Sequence, residues 1–177
     1  MQMKRFDSAP LIACLALVVA LIALPRTSLA DSQIGGGVHY WRTIDDIDVH
    51  NVDEDGLAWL VSYRFSSESL FKVHAEVEFL PDDFGGSPDQ VMAPQVYLLG
   101  GGGLYAGVGI GIYYADGDFA NDPFYAFRAG VEIALMGGVR LDLNANYRFD
   151  NIEDISAAVD NVDTDTVTIG AAIRIDI

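Results

Sequence analysis

The sequence is short of cysteine and of basic residues. Its one cysteine, Cys14, lies near the N-terminus, so no disulfide can staple the rest of the chain. Lys and Arg total 10 against 26 Asp and Glu, and the formal net charge is −16. That balance excludes a phosphate-binding surface, which needs clustered basic side chains, and with it nucleic acid as a partner. Beyond its first 30 residues the sequence also lacks any long charge-free stretch that could form a stable helix. The best window, residues 90–115, is uncharged but holds seven glycines and Pro94. Each glycine costs a helix about 1 kcal/mol and the proline about 3 kcal/mol.

That window contains Gly103-Leu-Tyr-Ala-Gly-Val-Gly-Ile-Gly-Ile-Tyr-Tyr114. Its G-x-x-x-G spacing suits a membrane-helix dimer, and Gly107 with Gly109 suggests a nucleotide loop. The first reading fails on glycine content. The second fails because the third glycine would have to stand at position 112, which is Ile. A period of two remains: Leu104, Ala106, Val108, Ile110 and Ile112 face one way and Gly107, Gly109 and Gly111 the other. Long side chains such as Arg128 or Arg148 are expected to fill the space over the glycines.

Lys4 and Arg5 precede the apolar run from Leu11 to Leu24, which Pro25 ends before Ser28-Leu29-Ala30. This is the pattern of a secretory signal peptide over residues 1–30, cleaved after Ala30. Leu11-Ile12-Ala13-Cys14 is similar to a lipoprotein cleavage box, but too few residues precede it. The remaining domain, residues 31–177, has seven basic residues against 25 acidic ones, a net charge of −18. Mean hydropathy is nevertheless positive, at +0.24. Charged and apolar groups must therefore be segregated.

A two-residue period divides the domain into eight segments: 33–44, 57–65, 70–80, 91–99, 104–114, 124–135, 139–149 and 166–177. In the third, Phe71, Val73, Ala75, Val77 and Phe79 oppose Lys72, His74, Glu76 and Glu78. The seventh repeats the pattern, and the first and fourth are less regular. Connections alternate long and short along the chain, the layout of an outer-membrane barrel with short periplasmic turns and long outer loops. The long connections hold 18 of the 25 acids and no Lys or Arg. The polar faces are nearly balanced, with Arg64, Lys72, Arg128, Arg140, Arg148 and Arg174 against Glu76, Glu78, Glu132, Asp142 and Asp176. With His74 these are the candidate charge network of the lumen. Aromatics on the apolar faces gather near the long-loop ends (Trp59, Phe79, Tyr114, Tyr125, Phe127, Tyr147, Phe149). A thinner set, Tyr63, Phe65 and Phe71, lies near the short turns. Two girdles suit two lipid–water interfaces. The fold expected is all-β, an eight-stranded antiparallel up-and-down transmembrane barrel.

The export signal, eight strands, alternating turn lengths and segments such as Asn146-Tyr147-Arg148-Phe149 resemble the small outer-membrane β-barrel superfamily, which includes the OmpA barrel domain, OmpX and the opacity proteins. The resemblance implies the outer membrane of a Gram-negative bacterium, a monomer among lipid and lipopolysaccharide, and insertion through periplasmic chaperones and the barrel-assembly machinery. Chains of that kind commonly end in an aromatic residue, whereas this one ends Ile173-Arg-Ile-Asp-Ile177.

Three functions follow, of different classes. The leading one is a non-enzymatic structural or surface-interaction protein with a side-chain-filled lumen and acidic outer loops. The second is a narrow channel for small solutes or ions. The third, a lipid A-modifying enzyme, needs a histidine and a serine on one outer-leaflet face. No Ser stands two positions after His39, His50 or His74. No cofactor is implied. Calcium or magnesium could sit on the acidic loops, with Asp46, Asp48, Asp116, Asp118, Asp163 and Asp165 as weak candidates for carboxylate ligands.

Overall fold

A computed structural model describes residues 31–44, 55–66, 70–82, 84, 87, 89–151 and 163–177. Residues 1–30, expected to be a signal peptide, and the candidates Asp46 and Asp48 lie outside the described residues. The strands are β1 (Asp31–Thr43), β2 (Asp55–Ser66), β3 (Phe71–Leu80), β4 (Val91–Gly101), β5 (Leu104–Gly111), β6 (Tyr114–Ala115), β7 (Asp118–Phe119), β8 (Phe124–Ala134), β9 (Val139–Asn151) and β10 (Asp163–Asp176). Eight of them form one antiparallel ring. The order β3-β2-β1-β10-β9-β8-β5-β4 is closed by pairing of β3 with β4. Gln33 lies opposite Asp176, so both ends of the domain meet at the short-turn side.

The ring is inside out relative to a soluble protein. Leu104, Trp59, Leu57, Ile169 and Tyr125 are exposed on its outer wall, Leu104 by 78 %. Arg64, Arg148, Arg174, Glu78 and Asp142 have no exposure at all. This is the distribution a bilayer demands: hydrocarbon solvates the outer wall, and closure leaves no backbone donor or acceptor unpaired in lipid. Short turns join β4 to β5 through Gly102–Gly103 and β8 to β9 through residues 135–138, where Gly137 and Gly138 take positive φ.

Two departures from the sequence expectation stand out, the first in the fifth segment. It ends as a barrel strand at Gly111 rather than at Tyr114. The cause is Pro94. Its carbonyl accepts from Ile112 N at 3.1 Å, so its missing N–H would have faced the same neighbour. The ladder breaks at residues 112–113, and Tyr113 turns inward with 2 % exposure. Tyr114 pairs with Met92 and so stays in the row of Trp59 and Phe79, and it also begins a small hairpin, β6–β7, across an Asp116-Gly117 turn with both residues at positive φ. The second departure is length. β9 and β10 pair as far as Asn151 and Asp163, so several acids expected in the last long loop stand on strands that continue past the expected strand ends at Phe149 and Thr166.

Closure predicts a distinctive gel behaviour. The native barrel in SDS should migrate apart from the boiled chain. Identical migration before and after boiling would show that no such ring forms.

Candidate functional site: the lumen

Among the described residues, the lumen gathers the paired charges, and it is built in levels. Strands β2, β3, β8, β9 and β10 supply the charges because their inward positions are the polar half of each alternating run. At the short-turn rim, Arg140 Nε donates to Asp176 at 3.1 Å and Nη1 to Glu132 at 3.0 Å. Gln33 donates to Asp176 at 2.9 Å, and Lys72 donates to the carbonyl of Gly102 at 2.9 Å. Arg140 and Asp176 are about one-third exposed, with 30 % and 34 % for the side chains. One level up, Asp142 is the hub. It accepts from Arg64 at 2.8 Å, Arg174 at 3.1 Å, Tyr105 at 2.8 Å and Asn144 at 3.0 Å. Arg64 also pairs with Glu132 and lies over the Tyr105 ring, 4.9 Å from its centroid.

Higher still, Arg128 Nη2 grips both oxygens of Glu76, at 3.0 and 3.1 Å, while its Nε donates to Asn146. His74 bonds the same carboxylate at 3.1 Å. Above that, Glu78 is held by Arg148 and by His39, the latter at 2.8 Å, and Gln95 links Glu76 to Tyr97. The structure thus places all twelve luminal candidates in one connected set, with Arg140 and Asp176 at its rim. It adds His39, Gln95, Tyr97, Tyr105, Asn144 and Asn146. Asn144 and Asn146 share the inward face of β9 and were readable from its alternation. Gln95 and Tyr97 were not, because β4 is apolar on both faces.

Above the charge network the lumen is apolar. Trp41, Leu80, Phe84, Val91, Tyr113 and Phe124 form a buried apolar cluster at the long-loop end. Ring centroids run from Trp41 to Phe84 at 4.8 Å, to Tyr113 at 5.4 Å and to Phe124 at 4.7 Å. Phe84 comes from the β3–β4 loop, where no periodicity could place it. Arg148 joins the two layers by lying 5.2 Å from the Phe124 centroid.

The glycines of β5 are also filled differently. A Cβ on Gly109 would sit 2.4 Å from the Tyr97 ring, and one on Gly111 2.2 Å from Phe124. Each ring belongs to the residue directly across the ladder. Arginines were expected against these glycines. Instead the rings lie on the glycines, and Arg128 and Arg148 stack on the rings. Gly130 under Tyr105 and Gly170 under His39 repeat the arrangement. Glycine opposite a large ring lets the ring lie flat and the wall curve.

The acidic candidates that are described do not gather. Asp118 Oδ1 accepts from its neighbour's Phe119 N at 3.0 Å, Asp116 occupies the turn, and Asp165 accepts from the Tyr147 hydroxyl. Asp163 pairs with Asn151 on the β10 ladder. Among the described residues no group of three or more His, Cys, Asp or Glu side chains could hold a metal ion.

Residues 11–174 match the family described as outer membrane protein beta-barrel domain. The chain belongs to this family. Among solved structures, neisserial surface protein A is 12 % identical with a TM-score of 0.57, covering 84 % of this chain and 97 % of that one. Ail of Yersinia pestis in a bilayer nanodisc is 16 % identical with a TM-score of 0.44, covering 82 % and 99 %. AlkL in lipid bilayers is 14 % identical with a TM-score of 0.45, covering 84 % and 90 %. At such identities the first likeness shows the fold alone. No curated protein sequence matches. The outer-membrane barrel assignment fixes the surroundings of every charge above: water at the two ends, hydrocarbon at the wall.

Stability should therefore divide by level. Replacing Asp142 with Asn leaves Arg64 and Arg174 buried without their shared anion, and should cost about 3–5 kcal/mol. Replacing Asp176 with Asn at the half-open rim should cost about 1 kcal/mol or less. Urea titration of folded barrels in detergent reads both. Equal losses would show that the network does not bear on stability as described.

Proposed function

We propose that this outer-membrane barrel is a non-enzymatic anchor and surface-interaction protein whose lumen is closed to solutes. The observation that carries this reading is the pairing of Arg64, Arg128, Arg148 and Arg174 inside the wall beneath the aromatic cluster. A solute crossing it would have to separate several ion pairs whose partners are almost wholly removed from water, and a buried charge left alone costs several kcal/mol. Both described histidines support the non-enzymatic side. His39 and His74 point inward with no exposure and are tied to Glu78 and Glu76, away from any outer-leaflet substrate. In this reading the acidic outer loops are the contact surface. Lipid and lipopolysaccharide surround the wall, and the chain reaches the membrane as a monomer through periplasmic chaperones and the assembly machinery.

One observation favours the narrow-channel alternative. Guanidiniums bring five N–H donors each, more than the acceptors beside them can use. Among the described residues, Arg64 Nε, Arg128 Nη1 and Arg174 Nη2 are buried without a protein acceptor. Such donors are commonly served by buried water, so the filled lumen is polar rather than dry.

Planar-bilayer recording decides between the two. The closed reading expects no stable single-channel steps from the purified barrel. It also expects steps to appear when Phe84 and Trp41 are both replaced with Ala and Arg148 with Ser. Reproducible steps from the unaltered protein would establish the channel.

A further inference from the structure

On three neighbouring strands the apolar outer wall runs to the very end of the ring. Alternate positions along β8 and beyond it, from Tyr125 to Leu135, all carry aliphatic or aromatic side chains. The same holds along β9 from Val139 to Phe149, and along β10 from Val167 to Ile177. Ten residues of strand rise about 33 Å, or roughly 25 Å at a tilt of about 40°. That is the height of the whole apolar band of an outer-membrane barrel. Tyr125 and Phe149 stand at its long-loop end. Its other end therefore falls at Leu135, Val139 and Ile177, and these strands have no length left to reach periplasmic water.

The β8–β9 turn continues the wall. Leu135, Ile175 and Ile177 are exposed, and Met136, at 85 %, is the most exposed large apolar residue among those described. Residues 133–139, Ile-Ala-Leu-Met-Gly-Gly-Val, hold no charge. The turn also has little need of water. Leu135 N donates to the Val139 carbonyl at 2.9 Å, Val139 N to the Met136 carbonyl at 3.1 Å and Asp176 N to the Gly138 carbonyl at 2.9 Å. Backbone satisfied in this way can leave water at small cost. The rest of the short-turn rim differs. On β2 and β3 it carries Tyr63, Phe65 and Phe71, rings that suit the headgroup level. At the β4–β5 turn Lys72 brings its ammonium to the Gly102 carbonyl. Only β8, β9 and β10 end without a ring or a cation on the outer face, on Leu135, Met136, Val139, Ile175 and Ile177.

We propose that the β8–β9 turn is itself a lipid contact in the inner leaflet. Leu135, Met136 and Ile177 lie among phospholipid acyl chains, and this side of the barrel sits deeper than the β2–β3 side. The partner is phospholipid rather than a periplasmic protein, because the patch continues the lipid-facing wall with no polar break. The proposal rests on the outer-membrane placement, with short turns toward the periplasm, and not on the closed lumen.

Nitroxide-labelled cysteines in the folded full-length barrel test it. C14S removes the one native cysteine. L135C and M136C are the test sites, V131C the reference for lipid and D118C, on the β6–β7 hairpin, the reference for water. Electron paramagnetic resonance in phosphatidylethanolamine–phosphatidylglycerol vesicles reads collisions with oxygen, which gathers in hydrocarbon, and with a nickel chelate, which stays in water. L135C and M136C should lose the nickel broadening seen at D118C and match the oxygen broadening of V131C. Nickel broadening at M136C equal to that at D118C overturns the proposal. Loss of both collisions there also overturns it, since that result places a protein contact on the turn. A gel shift on boiling confirms the ring in each labelled form, and L135C keeps the test decisive if M136C fails to fold. Channel activity, or its absence, has no bearing on the result.

Discussion

Every feature of this barrel follows from one constraint: backbone N–H and C=O groups cannot be left unpaired in hydrocarbon. A sheet satisfies it only by closing, and here closure is the pairing of β3 with β4. Closing eight strands leaves a lumen only wide enough to be filled by side chains. Since alternate residues of every strand must point there, the lumen takes the polar half of the sequence and the lipid takes the apolar half. The ion-pair network is therefore a consequence of membrane insertion. Its levels are the solution to housing buried guanidiniums: a hub carboxylate shared by two arginines at Asp142, and bidentate or histidine-assisted pairs at Glu76 and Glu78.

The closed ring also explains how small and large residues are matched across it. Four inward glycines each lie under the aromatic ring of the residue directly opposite, and three of those rings carry a stacked arginine. Glycine, ring and guanidinium thus form stacks across the interior. The aromatic cluster above them, completed by Phe84 from a loop, changes the character of the lumen from ionic to apolar toward the outer mouth.

Much of this was legible in the sequence, for physical reasons. Strands β3, β9 and β10 alternate cleanly because one face meets lipid and the other meets charge, so their inward residues could be named in advance. β4 could not be read in the same way. Its inward Val91, Ala93 and Leu99 are as apolar as its outward Val96 and Leu98. The end of the fifth barrel strand at Gly111 could not be read either, because the break beside Pro94 depends on which neighbour its missing donor faces, a property of the paired sheet. Phe84 gave no signal, since a loop residue has no period. His39 was visible but unassigned, because its partner Glu78 is 39 positions away.

The central claim is the inside-out arrangement, and the chain contains two tryptophans that report its two sides. Trp41 is fully buried in the lumen, whereas Trp59 is 69 % exposed on the outer wall. Single-tryptophan forms, W41F and W59F, reconstituted in bilayers with brominated acyl chains, measure each side by fluorescence quenching. The account predicts strong quenching of Trp59 and little of Trp41. Equal quenching of both, or stronger quenching of Trp41, would contradict it.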